Sequence, residues 1–541
     1  MLRPERRSPF SFAFTCLCCW CYLSCFTSFP AASGAQPQRE ATSASTHVAS
    51  GQRALDAKDF SKAKTEFELA VRADPKSAEG YLGLGLTELQ SGNPDEAIGS
   101  LRKAVELAPN SFRGHYLLAM ASLRQEKLQE GAQELERAVA IDPRNADALY
   151  NLGVVLLEQN RPDQALARLL QARERGSKRP DIAFNLIRAE LAANRAEDAR
   201  QEATNAAREF GGDSDWRKAV GELFLQYKQP VDAAGHLKEA LRLRPGSDPI
   251  RRRLAAAYLE AGEAERALPL LASPSTAEDH YLAAGAYLLL HRLAEADQES
   301  DLAVKQEPND ARYLLQRARI DQRIGRHAES LELLGRASRI QPDWAEPYYS
   351  AGVTLYLLHR YADARQSLDR ALKQDPRSVR SLFLYSATLA NESKNLEAEE
   401  VLLRAIALEP SNARLYYHLG AIRLRAAKVV EAEQAFKKAV KLKPDYAPPH
   451  YQLGKLLAGS DNLEPAALEL EAAVRYQNDL TQAYYQLARV YERLGRKKES
   501  ERALSTFNEL KKQDTDSEFT EAVKRELQAD PPSNRNAQVP P

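Results

Sequence analysis

The chain has 541 residues, 44% of them hydrophobic and 28% charged, with Lys+Arg and Asp+Glu balanced at 75 each. That balance excludes a global attraction to nucleic acid or to an anionic membrane, so electrostatic recognition must be local. All five cysteines (Cys16, Cys18, Cys19, Cys21 and Cys25) lie near the N-terminus, leaving the rest of the chain without a thiol for disulfides, metal or nucleophilic catalysis.

In chain order, Arg3, Arg6 and Arg7 precede an apolar run from Phe10 to Phe29, and Ser33-Gly34-Ala35 supplies small residues suited to signal-peptidase cleavage. Residues 1–35 therefore read as a signal peptide or, since the run approaches the ~20 residues that span a bilayer, as an N-terminal anchor. Cys18 and Cys21 formally read CxxC, but they sit in this apolar run with no partner histidine or second pair. The body of the chain is expected outside the cytosol. A periplasmic or secreted location is the first reading, and attachment to the inner membrane through an uncleaved segment is the alternative. Residues 36–43 are polar and read as a flexible linker.

From Ala44 a period of 34 residues takes over. Proline recurs at Pro75, Pro109 and Pro143, at Pro245, and at Pro308, Pro342, Pro376, Pro410 and Pro444. With proline at position 32 of each repeat, alanine falls at position 20 (Ala63, Ala97, Ala165, Ala199, Ala364, Ala398, Ala432, Ala466) and at position 27 (Ala70, Ala104, Ala138, Ala371, Ala405, Ala439, Ala473). Glycine often falls at position 8 (Gly51, Gly85, Gly153, Gly352, Gly420, Gly454). Small residues let two helices approach, while Leu, Phe or Tyr at positions 7, 11 and 24 fill the space between them. In Ser91-Gly92-Asn93-Pro94-Asp95-Glu96, Gly92 suits a left-handed helix stop, Asn93 a cap, Pro94 the first turn of the next helix, and the acids its positive end. Asn145, after Pro143, suits the cap of the following repeat.

This pattern resembles the tetratricopeptide repeat, a helix-turn-helix unit. The resemblance implies an all-α, right-handed α-solenoid of about fourteen repeats, starting at 44, 78, 112, 146, 180, 214, 248, 277, 311, 345, 379, 413, 447 and 481. Such an array presents extended surface rather than a pocket. Departures are Ser177, Gly211, Asn478 and Lys512 where proline is expected. Repeats 1–6 occupy 44–247 and repeats 8–14 occupy 277–514. Repeat 7, at 248–276, is shorter and carries Pro269 and Pro274, so its second helix should be truncated and the repeat is a candidate hinge. Residues 515–528 read as an amphipathic capping helix, with Phe519, Val523 and Leu527 on one face, and 529–541 as a disordered tail.

The resemblance also places positions 2, 5, 9, 12 and 13 of each first helix on a concave groove. Position 5 holds Tyr116, Tyr150 and Phe184, then Lys218 and Arg252, then Tyr281, Leu315, Tyr349, Phe383, Tyr417, Tyr451 and Tyr485, an aromatic ladder suited to contacting a partner segment. In repeats 9–14 the lining carries Arg312, Arg319, Arg323, Arg380, Arg414, Arg425, Lys455, Arg489 and Arg493 against Glu346 and Glu492, whereas repeats 2–6 mix both signs. A basic wall favours an acidic partner segment. The site expected on this basis comprises Tyr281, Tyr349, Phe383, Tyr417, Tyr451, Tyr485, Arg312, Arg319, Arg380, Arg414 and Arg489.

The nine histidines show no metal or triad spacing, and no phosphate loop, nucleophile elbow or HExxH occurs. No cofactor, metal or catalytic residue is expected, and no nucleic-acid partner. The leading expectation is an exported, non-enzymatic scaffold that binds a protein or peptide segment in its groove. The alternative is an accessory subunit for export or assembly of an envelope polymer, polysaccharide or pilus.

Overall fold

The computed structural model describes residues 40–176 and 179–511. The expected signal segment, Ser177, Lys512, the capping helix and the tail lie outside the described residues. Among the described residues there are 28 α-helices, one 3-10 turn and no strand. The first helices of repeats 2–14 start at the positions the period gives, from Ala78 to Thr481. In repeat 1 the helix starts at Glu40, inside the stretch read as a linker.

The chain divides into two compact bodies, one ending at Glu263 and the other starting at Ala264. In each, the two helices of a repeat pack along one another, the second helix then packs on the next repeat's first helix, and most first helices also touch the first helix that follows. Repeat 7 spans the division. Its first helix, Asp248–Glu260, is of full length, while its second is reduced to Ala264–Ala267 followed by a 3-10 turn, Leu268–Leu271. Pro269 lies in that turn, where it cannot donate to an α-helical ladder.

Local chemistry accounts for the helix ends. The side chains of Ser77, Ser111 and Asn145 accept from Gly80 N, Gly114 N and Ala148 N at 3.1, 3.1 and 2.9 Å. Asn93 occupies a cap position, but its side chain makes no capping bond. Pro94 has no N–H to satisfy there, and Asp95 and Glu96 already face the positive helix end. The turn between the two helices puts one residue, always position 15, in the left-handed region in every repeat. Four are glycines (Gly92, Gly262, Gly325, Gly495), and the ten others, including His291, His359 and Ala427, hold φ between 57° and 64°.

The small residues at position 8 answer to position 24. A Cβ placed on Gly85, Gly153, Gly420 or Gly454 would lie 2.5, 2.6, 2.5 or 2.5 Å from the side chain of Leu101, Leu169, Phe436 or Leu470. The alanines at positions 20 and 27 are fully or almost fully buried, and the core runs through each body as clusters shared by neighbouring repeats. Interiors packed this way tolerate little change of volume.

A candidate protein-binding face on the first helices

Successive first helices bring the position-5 residues into a row, and the structure gives that row a packing role. Tyr417 and Tyr451 are each only 3% exposed, and Tyr349 is also buried. Tyr281 and Phe383 are partly buried, Tyr281 against the Tyr313 ring at 5.1 Å and Phe383 against His418 at 4.7 Å. Burial pushes the Tyr281 hydroxyl above its usual range. Tyr485, in the last described repeat, is 40% exposed.

The hydroxyl edges are engaged as well. Asn151 Nδ2 donates to the Tyr116 hydroxyl at 2.7 Å and Asn185 Nδ2 to that of Tyr150 at 3.2 Å, each pair 35 residues apart. Tyr451 donates to Gln482 Oε1 at 3.3 Å. These bonds link position 5 of one repeat to position 6 or 2 of the next, so most of the ladder joins repeats. Tyr485 is the ring of the expected site that keeps a large accessible area.

The cations divide in a similar way. The Glu346 carboxylate, itself 5% exposed, accepts from Arg319 Nη2 at 3.0 Å and also from Arg380. Arg380 lies over the Tyr349 ring at 4.6 Å. Arg312 pairs with Asp310 at 2.7 Å and Glu278 at 3.4 Å and covers Tyr313 at 5.0 Å. Its guanidinium is partly desolvated, but the hydrogen bond to Asp310 and the two acids raise its pKa further. Arg493 is paired with Asp461.

Arg414, Lys455 and Arg489 are exposed, and among the described residues no ion pair holds their side chains. Lys455 and Arg489 share position 9 of consecutive first helices, Ala447–Gly459 and Thr481–Arg493, which touch. Arg489 also lies over the Tyr485 ring at 5.8 Å. In repeat 9, Arg323 is exposed, and its guanidinium is held below its usual range by partial desolvation and then by repulsion from Arg319. The first body contrasts with this: Asp147 and Asp181 pair with Arg179, Glu158 with Arg188, and Glu222 with Lys218 and Arg253. Its first-helix charges are largely paired internally, whereas the first helices of repeats 12–14 leave accessible cations beside the accessible Tyr485 ring.

Tetratricopeptide repeat profiles match residues 48–112, 154–215, 184–248, 315–379 and 388–447, with related profiles of the same description over 122–183, 224–280 and 481–514. The chain belongs to the tetratricopeptide repeat family. Its fold is an α-solenoid of helix-turn-helix repeats, and membership supports a role as a protein-interaction scaffold of a typically non-catalytic kind. Among solved structures it is similar to a chain in the crystal structure of the APC/C hetero-tetramer Cut9-Hcn1, at 16% identity and a TM-score of 0.40, covering 83% of this chain and 97% of that one. It is also similar to the crystal structure of MamA protein, at 24% identity and a TM-score of 0.30, covering 32% and 94%. No curated protein matches the sequence.

Among the described residues of this tetratricopeptide array, no helix is long and apolar enough to cross a membrane, and no group of three or more His, Cys, Asp or Glu residues is placed to hold a metal ion. Two features were absent from the sequence expectation. The bonding of Glu346 to two arginines requires knowing that positions 9, 2 and 2 of three successive repeats meet. The bonds from Asn151 and Asn185 are signalled by asparagine at position 6 following tyrosine at position 5 of the preceding repeat.

Proposed function

We propose that this scaffold binds an acidic segment of a protein partner along the first helices of repeats 12–14, with Arg414, Lys455 and Arg489 meeting carboxylates and Tyr485 supplying an apolar contact. The observation that carries this reading is the division of cations. Arg312, Arg319 and Arg380 are committed to internal carboxylates, while among the described residues Arg414, Lys455 and Arg489 meet none. Exposed cations on a rigid wall steer and orient an acidic partner without a large desolvation cost. Neighbouring helix axes lie ~8–10 Å apart, so the position-9 cations suit carboxylates about three residues apart on a polyproline II segment, whose three-residue turn keeps them on one face. The apolar run after Arg3, Arg6 and Arg7 supports reading residues 1–35 as an export signal, which would place this binding outside the cytosol.

The test is fluorescence anisotropy with the full chain and a labelled peptide carrying Asp or Glu at every third residue. Binding should weaken steeply with salt, and Lys455→Glu combined with Arg489→Glu should weaken it about tenfold or more, while the same reversals at Arg179 and Arg188 leave it unchanged. Equal loss from both pairs of variants would reject the assignment to repeats 12–14.

A further inference from the structure

One contact recurs at the same register in four repeats. The histidine at position 4 meets the glutamate at position 23 through Nδ1: His47 with Glu66 at 2.8 Å, and His115 with Glu134, His280 with Glu299 and His450 with Glu469 at 2.6 Å each. In two of them the other ring nitrogen is also engaged. His115 Nε2 lies 2.8 Å from the Pro109 carbonyl and His450 Nε2 lies 2.8 Å from the Pro444 carbonyl. A carbonyl can only accept, so Nε2 must carry a proton. Nδ1 then meets the carboxyl group, and that bond requires a second proton between them. Without it, a ring lone pair would face a carboxylate.

Repeat 6 contains the same junction built with a group that cannot lose its proton. Arg217 stands at position 4, donates through Nε to the position-32 carbonyl of Gly211 at 3.2 Å, and approaches Nδ1 of His236 at position 23, 3.3 Å away. His236 is pushed down to about 4 by burial and then by Arg217, which leaves it a neutral acceptor. A permanent double donor at position 4 therefore fills the place that histidine fills in repeats 3 and 13.

We propose that His450 is a proton-loaded clamp: it holds the proline turn of the preceding repeat and the second helix of its own only while its ring carries both protons. This goes beyond the proposed binding role and does not depend on it. Around His450 the groups are Glu469, the Pro444 carbonyl and the Tyr476 ring at 5.7 Å, and among the described residues Glu469 is the charge that bears on it. For His450, burial lowers the pKa, but the bond to Glu469 and the proline carbonyl raise it above the ordinary value on balance. The sign follows: the clamp is complete below the unfolded-state value and is lost as pH rises through the folded one.

The test is backbone hydrogen exchange on the full chain, expressed as protection relative to intrinsic rates, from roughly pH 5.5 to about pH 9. Protection over Lys443–His450 should fall about tenfold with rising pH, while Phe210–Arg217 stays level. His450→Arg should remove the pH dependence at its own junction. Both junctions responding in parallel in the unmutated protein would overturn the proposal, as would an unchanged pH response at the junction of His450→Arg.

Discussion

Arg319 reaches across a repeat boundary to the Glu346 carboxylate at 3.0 Å, and that contact withdraws it from any partner. Arg380 shares the same carboxylate. Glu346→Gln should release both cations. Affinity for an acidic peptide should rise severalfold in anisotropy titrations, while the buried site loses its counter-charge and stability falls by about 2–3 kcal/mol in urea unfolding. No change in either quantity would mean that the carboxylate does not govern these arginines.

Glu190 has one carboxyl oxygen buried without a hydrogen-bond partner, and burial with Glu202 and Asp198 nearby pushes its pKa up to about 7. In repeat 2 the equivalent Glu88 accepts from Ser100 at 2.8 Å, and Glu202 stands where that serine would be. The folded state therefore binds the extra proton, and stability falls as pH rises from the unfolded-state value near ~4.3 through about 7. Glu190→Gln should raise stability by about 1–2 kcal/mol above pH ~8, and the gain should vanish below pH ~4. Thermal melts across that range measure it.

The inter-helix turn stores backbone strain wherever position 15 is not glycine. Ala427 holds φ 59°, so Ala427→Gly should stabilise the protein by up to about 1 kcal/mol. Gly92, at φ 82° with open space around it, should lose about 1–2 kcal/mol on conversion to alanine, because only conformation and not packing is at stake. Urea midpoints of the two variants should move in opposite directions.

Packing is at stake at Gly420, where an added Cβ would sit 2.5 Å from the Phe436 ring. Gly420→Ala should cost about 1–3 kcal/mol, and Gly420→Ala with Phe436→Leu should recover part of it. A pair of strictly additive losses in the double-mutant cycle would show that the two residues are not coupled.

The sequence made the helices legible because the steric demands are periodic. Gly85, Gly420 and Gly454 must be small because Leu101, Phe436 and Leu470 stand over them, and a fixed register repeats that demand. It did not reveal which charges were available, since Arg319 and Arg414 look alike until Glu346 is placed between its two neighbours. The same held for the ladder: tyrosine at position 5 fits a partner or a junction equally well, and burial of Tyr417 and Tyr451 assigns those rings to packing. Asn93 sits at its cap position without a side-chain capping bond, and the first helix starts at Glu40 ahead of the period, because caps and helix starts depend on local backbone angles rather than on the period. The His–Glu contacts were visible as a constant spacing of 19 residues, but only a comparison of positions 4 and 23 across repeats exposes it.

The most direct test of the central claim is where an acidic segment settles. A peptide with Asp or Glu at every third residue and a photoreactive side chain should, on irradiation with the full chain, attach to the first helices Ala413–Arg425, Ala447–Gly459 and Thr481–Arg493, and the adducts should disappear at high salt. Adducts concentrated on the second helices of these repeats, or spread evenly along the array, would contradict the account.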